Sequence, residues 1–384
     1  MPVIRQQIGE GIAVSQKGVG VSRRQLLVQM GAGSLAAAAS TFGPLATAAV
    51  AAEPWQPTSD RKIRLGVVGG GFGAAFQWHK HPNCQVVAVS DLQPDRLKRL
   101  QQVYQCDRTY ESLEKLVLDK QVEAVAVFTD APSHARHAIE VMNHGKHVIC
   151  AVPAAMTLEE CQAVRETKEK TGLKYMMAET SYYHREVIRA RNLYRQGCRI
   201  LYTEGQYYHH AVTRIGSWKN WRRALPPMLY PTHSTAYYVG VTGKRLTKVS
   251  CLGWRGRGEE WADNQYKNPF ACESALFRTS EDTFCRINVF WWGAADGETG
   301  SWIWESAPKV QVPDSVPLPA GLEPGGHGGS HGPLVHEFIC ALVEQREPAI
   351  DVYQSLAMTA PGIVAHQSAL KDGEQLTVPQ FDRS

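Results

Sequence analysis

The chain has 384 residues, 43% of them hydrophobic and 20% charged, a composition typical of a globular protein. This length exceeds what one ordinary hydrophobic core supports and predicts about two domains of roughly 100 to 200 residues each. The net charge of +4 comes without a basic run interleaved with aromatic residues, so the composition excludes a nucleic-acid partner.

The first segment in chain order is a leader over residues 1–51. The sequence SRRQLL at residues 22–27 precedes a weakly apolar stretch that ends in small residues of the A-x-A kind. This order resembles a twin-arginine export signal, which predicts that the folded protein reaches the periplasm with the twin-arginine translocase as a transient partner. An amphipathic or disordered leader is the alternative interpretation.

The nine cysteines are odd in number and scattered, with no C-x-x-C pair and no metal-type spacing. We therefore expect buried, reduced thiols. Folding before export is compatible with thiols that do not pair.

A polar, proline-containing spacer at residues 52–61 separates the leader from the first domain. β-Branched runs and amphipathic helices then alternate through residues 62–180, beginning with the strand IRLGVVG, the helix GGFGAAFQWHKH and the strand CQVVAVSD. A later helix, TLEECQAVRETKEKTG, begins with a Thr N-cap and a capping-box Glu and ends at Gly172. The alternation predicts a Rossmann domain with a parallel sheet.

Residues 181–384 open with a helix, EVIRARNLYRQG, and continue with short strands rich in Tyr, Trp and Thr. These strands predict an antiparallel sheet, and we expect a last helix at PLVHEFICALVEQ with Pro333 at its start. The expected fold class is therefore α/β plus α+β. An N-terminal Rossmann domain is followed by a C-terminal open antiparallel-sheet domain.

The loop VVGGGFGAA places Gly69, Gly71 and Ala74 in G-x-G-x-x-A spacing, with Phe72 inside it. In this pattern the first glycine permits a tight turn, the second lets backbone N–H groups approach a pyrophosphate at a helix N-terminus, and the alanine allows close packing. Asp91 ends the second strand about 20 residues on, where a carboxylate accepts hydrogen bonds from ribose hydroxyls and repels a 2′-phosphate. The loop therefore predicts NAD as the cofactor.

The stretch AVAVFTDAPSHARHAIEVMNHGKHVIC at residues 124–150 is similar to the glucose-fructose oxidoreductase, inositol dehydrogenase and MocA family. The resemblance covers residues 62–342. It implies that Thr129, Pro132 and His134 lie in a T-P-x-x-H-type loop beside the nicotinamide half of the cofactor. It also implies that Pro153 corresponds to the proline of the family's E-K-P motif. Helix capping and solvent exposure are the alternative roles of Thr129 and His134.

Two departures from the family pattern bear on the chemistry. Ala151 and Val152 replace the glutamate and lysine of E-K-P, and Leu229 replaces the aspartate of a D-x-x-x-H pair that keeps His233. In the family the lysine stands near the nicotinamide and the reacting hydroxyl. Because Val152 cannot transfer a proton, we expect His233 to act as the general base, since the pKa of histidine lies near neutrality. A structural role for His233 is the alternative.

Polar aromatic residues and histidines are dense around residues 178–210 and 327–331, and the resemblance implies that some of them line the pocket. Beside His233, we take Glu179 and His209 as catalytic candidates. The substrate-binding candidates are Tyr183, His184, Gln206, His327 and His331. In the strand EGQYYHH, alternate residues share a face, and only one of the two faces can meet the substrate. One set is Glu204, Gln206 and Tyr208, and the other is Gly205, Tyr207 and His209. A Tyr-rich strand that packs on helices is the alternative.

We expect an exported enzyme of this family that acts on a sugar or glycoside with tightly bound NAD. Free NAD is expected to be scarce outside the cytoplasm, so the hydride would be returned within the cycle, as in the family's sugar–sugar oxidoreductases and NAD-dependent glycosidases. The alternatives are a lyase or glycoside hydrolase without net redox change, with or without a metal ion, and a non-catalytic sugar-binding protein. No fixed spacing supports a metal, so we assign no metal ligand, although His209, His233, Glu179 and the pair His327 and His331 could supply ligands. The resemblance also implies a homo-oligomer.

Overall fold

The computed structural model describes residues 55–210, 216–293 and 296–383. The predicted export signal at residues 1–51 lies outside the described residues. Within the described ranges, no helix is both long enough and apolar enough to cross a membrane. All nine cysteines are free thiols, as expected, and the prediction of burial holds for all except the half-buried Cys198 and Cys272.

The first sheet of the described chain has six parallel strands in the order β3-β2-β1-β4-β5-β6. The strands are β1 (Ile63–Val68), β2 (Cys84–Ser90), β3 (Thr109–Tyr110), β4 (Ala124–Val127), β5 (His147–Cys150) and β6 (Tyr175–Met177). This arrangement confirms the predicted Rossmann sheet. The spatial order reverses between β1 and β4, and in such sheets ligands bind outside the carboxyl ends of the strands at that point.

The helices that connect these strands are α1 (Pro94–Tyr104), α2 (Leu113–Leu116), α3 (His134–Asn143) and α4 (Leu158–Thr171). α4 begins and ends as the sequence predicts. Thr157 Oγ1 accepts a hydrogen bond from the backbone N–H of Glu160 at 3.1 Å, and the Glu160 carboxylate accepts one from the Met156 N–H at 2.7 Å. Gly172 follows the last turn with a φ of +68°, a left-handed conformation that glycine adopts without steric cost.

The helix predicted directly after the glycine loop is absent from the structure. Two 3₁₀ turns, Gly73–Ala75 and Trp78–Lys80, take its place. Phe76 and Trp78 are both buried, and their rings stack with centroids 5.9 Å apart. Residues two apart point to opposite sides of an α-helix, so one helix could not place both rings in the same core.

The second sheet has the order β11-β7-β10-β9-β8-β12. Its strands are β7 (Ile200–Tyr208), β8 (Leu246–Arg255), β9 (Phe270–Thr279), β10 (Phe284–Phe290), β11 (Gly297–Trp304) and β12 (Leu376–Thr377). Neighbouring strands are antiparallel, as predicted, except that β7 and β10 run parallel.

The helices of this second part are α5 (Arg185–Arg195), α6 (Thr232–Thr235), α7 (Val239–Thr242), α8 (Gly326–Gly329), α9 (His331–Val343) and α10 (Val352–Leu370). The sequence predicts α9 as the last helix, with Pro333 at its start, whereas Pro333 is its third residue and α10 follows. α10 contains Pro361 and Gly362 and is buried on nearly all sides. Because it has neither a polar face nor the composition of a strong helix former, its periodicity gives no helical signal.

Glycine permits two close approaches on the covered face of the second sheet. A Cβ at Gly205 of β7 would lie 2.1 Å from the Ser234 carbonyl oxygen in α6, and a Cβ at Gly362 of α10 would lie 2.2 Å from the Met228 carbonyl oxygen. α6 therefore rests directly on β7, and this contact holds His233 next to the strand.

The other face of the second sheet carries exposed apolar side chains. Leu252, Leu276, Phe284 and Ile303 have between 46% and 63% of their surface exposed. Strand alternation and register place all of them on the face opposite to Gly205. In the described chain, the sheet therefore has one face covered by helices and one uncovered face on which exposed apolar side chains stand among polar ones.

Candidate functional site

A cavity of about 550 Å³ lies beside the carboxyl ends of β4, β5 and β6 and against the covered face of the second sheet. On the side of the first sheet it is lined by Phe72, Phe128, Thr129, Ala131, His134, Ala151, Val152, Ala178 and Thr180. On the other side it is lined by His184, Tyr207, His209, Trp221, Arg222, Tyr230, His233, Asp296, Gly297, Glu298, His327 and Gly328. The first wall is mostly apolar, and the second wall holds the charged groups.

The glycine loop has the shape that a dinucleotide requires. Gly69 has a φ of +99°, and a Cβ there would lie 2.2 Å from the Phe128 carbonyl oxygen, whereas a Cβ at Gly71 would meet only the Arg96 guanidinium, at 3.7 Å. Asp91 Oδ2 accepts a hydrogen bond from the Gly70 N–H at 2.6 Å, which fixes the carboxylate of β2 beside the loop. The open backbone, the nearby guanidinium and the carboxylate fit the pyrophosphate and ribose of NAD.

The loops after β4 and β5 are joined through His134. Its Nδ1 lies 2.8 Å from the Pro153 carbonyl oxygen and its Nε2 lies 3.1 Å from the Thr129 carbonyl oxygen, and the ring is almost fully buried. Burial lowers the pKa of His134. The structure thus brings Thr129, His134 and Pro153 together, as predicted, but Pro132 is exposed and lies off the cavity wall.

His137 orients the Thr129 hydroxyl, a role that the sequence did not suggest. Burial lowers the pKa of His137 to about 4, so the ring is neutral. Arg136 Nη2 lies 2.6 Å from His137 Nε2, and since a guanidinium can only donate, the ring proton must be on Nδ1. Nδ1 then donates to Thr129 Oγ1 at 2.8 Å, which leaves the hydroxyl proton free to point into the cavity.

Two carboxylates surround His233 on the charged wall. His233 Nδ1 lies 2.8 Å from Glu179 Oε1 and 3.8 Å from Glu298 Oε1. Glu179 is fully buried, and its Oε1 also accepts a hydrogen bond from the Ser181 N–H at 2.8 Å. Because Nδ1 is engaged by Glu179, Nε2 is the ring nitrogen available to a molecule in the cavity.

This environment changes the protonation state that the sequence suggested for His233. Burial by itself would lower the pKa of His233, but the negative charges of Glu179 and Glu298 outweigh that effect and raise the pKa to about 9. For Glu179, burial by itself would raise the pKa, but the positive charge of His233 outweighs burial and lowers the pKa. At neutral pH His233 is therefore an imidazolium, which donates a proton before it can accept one.

Three further histidines stand behind or beside Glu298. His184 Nε2 lies 3.6 Å from Glu298 Oε2, and His327 Nδ1 lies 3.0 Å from His331 Nε2. Burial, together with His327, lowers the pKa of His331 to about 4, and its ring stacks on Phe76 at 4.3 Å between centroids. His184 and His327 line the cavity as predicted, whereas His331 lies behind His327 and supports it.

Besides His331, two more of the predicted substrate-binding residues lie off the cavity wall. Gln206 lies on the face of β7 opposite to Tyr207, where its Nε2 donates to Glu204 Oε1 at 2.8 Å. Strand alternation offered two faces, and the contact of α6 with Gly205 selects the face of Tyr207 and His209. Tyr183 is buried, with the Arg191 guanidinium 5.9 Å from its ring centroid, and lies off the cavity wall.

Glu298, Arg222 and Tyr230 line the cavity without having been predicted. Glu298 belongs to β11, and the register of β11 on β7 places it opposite Tyr207. His209 lies at the same end of the cavity, with its Nδ1 3.2 Å from Asp296 Oδ1. Pairing of distant strands decides these positions, and no local sequence pattern signals them.

Among the described residues, one group of three potential metal ligands converges, and it consists of His81, His336 and Cys340. None of the residues considered as metal ligands from the sequence belongs to this group. The Asn83 N–H donates to His81 Nδ1 at 3.1 Å, so the proton of His81 is on Nε2, which donates to His336 Nδ1 at 3.1 Å. The facing nitrogens are thus already used in a hydrogen bond.

Comparison with known proteins agrees with the Rossmann assignment. Residues 63–179 match the model of the GFO_IDH_MocA family, described as an oxidoreductase family with an NAD-binding Rossmann fold. This match confirms the family resemblance and the NAD cofactor expected from the loop.

Relatives named as glycosyl hydrolases also match this chain. A glycosyl hydrolase family 109 protein 1 from Bacteroides fragilis is 34% identical over 175 residues, which is 42% of this chain and 38% of that protein. The match thus spans about two fifths of that relative's length. A glycosyl hydrolase family 109 protein from Stenotrophomonas maltophilia is 24% identical over 88% of this chain and 94% of that protein.

Solved structures share the fold. Levoglucosan dehydrogenase in complex with NADH and levoglucosan superposes with a TM-score of 0.69 at 18% identity, covering 84% of this chain and 100% of that one. Scyllo-inositol dehydrogenase from Lactobacillus casei, with NAD(H) and scyllo-inositol, gives a TM-score of 0.63 at 16% identity, covering 83% of this chain and 99% of that one. At these identities the likeness establishes the two-part fold alone.

The raised pKa of His233 predicts a pH dependence of stability. A histidine whose pKa is higher in the folded state contributes stability fully below the unfolded value of about 6.5, and the contribution is lost as the pH rises through about 9. Glu179→Gln should therefore lower the free energy of unfolding at pH 6 by about 3–5 kcal/mol and make the difference from wild type shrink towards pH 9.

Thermal or urea unfolding between pH 6 and pH 9 measures this difference. Glu305→Gln is the matched control, because Glu305 is exposed, and it should follow the wild-type pH profile. A Glu179→Gln difference that stays constant across the range would show that His233 is not held as a cation.

Proposed function

We propose that this chain, whose Rossmann domain belongs to the GFO_IDH_MocA oxidoreductase family, is an NAD-dependent enzyme that acts on a sugar or glycoside. The observation that carries the proposal is His233, held between Glu179 and Glu298 on the wall of a cavity that the Rossmann loops also line. A histidine fixed through Nδ1 by a buried carboxylate presents Nε2 to a bound molecule, and this is a common arrangement for moving a proton to or from a hydroxyl.

The residues of the chain divide the work as follows. When bound, NAD would supply hydride acceptance and return at its nicotinamide ring. His233 would donate a proton from Nε2 to an oxygen of the substrate and, once neutral, accept one from a hydroxyl. Glu179 keeps the ring oriented and stabilises its charged form, and Glu298 adds a second negative charge. Ala151 and Val152 provide an apolar wall that can transfer no proton, so the acid–base work lies on the opposite wall.

We propose that NAD stays bound and is recycled within each turnover. Support comes from the export signal proposed for residues 1–51, since a periplasmic enzyme would find little free cofactor to replace a reduced one. Relatives that match this chain are named glycosyl hydrolase family 109 proteins, and hydrolysis involves no net redox change. A cycle that oxidises a sugar carbon, cleaves the glycoside and reduces the carbon again would combine a bound NAD with a hydrolysis that has no net redox change.

Fractionation of cells tests the proposed periplasmic location. Recovery of the protein only in the cytoplasmic fraction would contradict export.

A second candidate is a lyase or hydrolase that uses His233 and Glu298 without any hydride transfer. The observation that favours it is the protonated state of His233 beside a carboxylate, which is an acid and base pair in its own right. This candidate requires no bound NAD. The cofactor content of the purified protein therefore separates the two, whereas a non-catalytic sugar-binding protein would show no turnover at all.

We also propose a homo-oligomer that covers the apolar face of the second sheet. Support comes from Leu252, Leu276, Phe284 and Ile303, four exposed apolar side chains on one face of the sheet, because exposed apolar surface concentrated on one side marks contact sites between proteins. Light scattering of the purified protein should give a multiple of 42.5 kDa, reduced only by any cleaved leader. A monomeric mass would contradict the proposal.

Replacing His233 tests the proposed function. His233→Asn should lower turnover by roughly a hundredfold or more, measured on a sugar or glycoside that the wild-type protein converts. The substitution removes the proton-transferring group and keeps a polar side chain. NAD(H) released on denaturation should stay at the wild-type level, because the glycine loop is untouched. His144→Asn, at an exposed histidine, is the control and should retain activity. Full activity of His233→Asn, or wild-type protein that contains no NAD(H), would contradict the proposal.

A further inference from the structure

Two cationic side chains lie on the cavity wall, and only one of them has a counter-ion. His233 is compensated by Glu179 and Glu298. The half-buried Arg222 has no carboxylate oxygen within 4.0 Å among the described residues. The internal segments outside the description, residues 211–215 and 294–295, contain neither aspartate nor glutamate. Within residues 55–210, 216–293 and 296–383, the charge of Arg222 is therefore uncompensated where it faces the cavity.

The other acids of the cavity are already engaged. Glu298 Oε2 accepts a hydrogen bond from the Ser181 hydroxyl at 2.6 Å, and Asp296 Oδ1 lies 3.2 Å from His209 Nδ1. A half-buried guanidinium without a counter-ion becomes costly once a ligand displaces the water around it, unless the ligand brings an anion. A ligand that carries a negative charge would therefore compensate the Arg222 guanidinium in the cavity.

The segment that carries Arg222 is firmly anchored. The Trp291 indole N–H donates to the Leu225 carbonyl at 2.8 Å, and the Tyr266 hydroxyl donates to the Trp221 carbonyl at 2.6 Å. The Arg222 Cζ lies 4.3 Å from the centroid of the Trp221 ring, which supports the guanidinium from one side. The planar donor fork is therefore held in place before a ligand arrives, and such a fork matches the oxygens of a carboxylate, sulfate or phosphate group.

We infer that the cavity takes an anionic sugar or glycoside, whose carboxylate, sulfate or phosphate group pairs with Arg222. This inference rests on the proposed function and names its substrate class. Glu179 and Glu298 repel the anionic group from the side of His233, so the same charges also set the orientation. The anionic group lies at Arg222, and a hydroxyl or glycosidic oxygen lies at His233.

Binding of matched sugar pairs to the full, cofactor-containing protein tests the inference. Isothermal titration compares glucuronate and galacturonate, with their methyl glycosides, against glucose and galactose in the same forms. Glucose 6-sulfate, galactose 6-sulfate, glucose 6-phosphate and galactose 6-phosphate are titrated in the same way. Their affinities show whether the anionic group is a carboxylate, a sulfate or a phosphate. At least one acid should bind roughly tenfold or more tightly than its neutral counterpart, because a bidentate, charge-assisted pair is among the stronger hydrogen-bonded contacts.

The variants separate a specific contact from general charge. Arg222→Met should remove the preference for the acid, with a loss of roughly tenfold to a hundredfold in affinity, and Arg222→Lys should keep part of it because the charge remains without the fork. Arg223→Met is the matched control, since the neighbouring Arg223 is exposed, and it should bind like wild type. Circular dichroism should show the same fold in all three variants.

Three outcomes would overturn the inference: neutral sugars that bind as tightly as acids, acids that fail to bind, or equal effects of Arg222→Met and Arg223→Met. If these occur while NAD(H) is still released from the denatured protein, the proposed function stands and only the substrate class is wrong. Absence of NAD(H) counts against the proposed function instead.

Discussion

The ion pair between Glu179 and His233 is the interaction on which the rest of the site depends. Glu179 follows β6 of the first sheet and is fully buried, while His233 belongs to α6 on the second sheet, so this 2.8 Å contact is one of those that join the two parts of the fold. A carboxylate with no exposure to water persists in its charged form only when it is paired and hydrogen-bonded. The pair therefore fixes both the contact between the sheets and the charge of His233.

Because the Glu179–His233 pair joins the two parts of the fold, each part contributes one wall of the cavity. The loops of the first sheet contribute the cofactor-binding backbone and the apolar side chains of Ala151 and Val152. The second sheet contributes His233, Glu298 and Arg222. In the proposed reaction, a chain that lacks a lysine at residue 152 would move protons through His233, which stands across the cavity. His233 would begin as an imidazolium, so the order of proton transfers would differ from that of a neutral base.

Much of the fold could be predicted from the sequence, because its signals are local. The alternation of strands and helices, the caps of α4 and the carboxylate at Asp91 each depend on residues close together in the chain. The turn after the glycine loop and α10 could not be predicted. In the first, burial of Phe76 and Trp78 overrides the helical pattern, and in the second, burial on all sides hides it.

The site was predictable where it adjoins local motifs and unpredictable where it depends on pairing. Thr129, His134 and His233 follow from stretches that resemble a known family. Glu298 reaches the cavity only through the register of β11 on β7. Arg222 reaches it through hydrogen bonds that Tyr266 and Trp291, which lie next to β9 and β10, make to the segment around it. The protonation of His233 also escaped prediction, because it depends on two carboxylates that are distant in sequence.

The most direct test of the central claim follows the absorbance of bound nicotinamide after the purified protein is mixed with sugars and glycosides, with no cofactor added. We expect a rise in the reduced-nicotinamide band as a substrate carbon is oxidised, followed by a fall as the hydride is returned. Turnover of a substrate without any change in this band during the first cycle would contradict hydride transfer from a cofactor recycled beside His233.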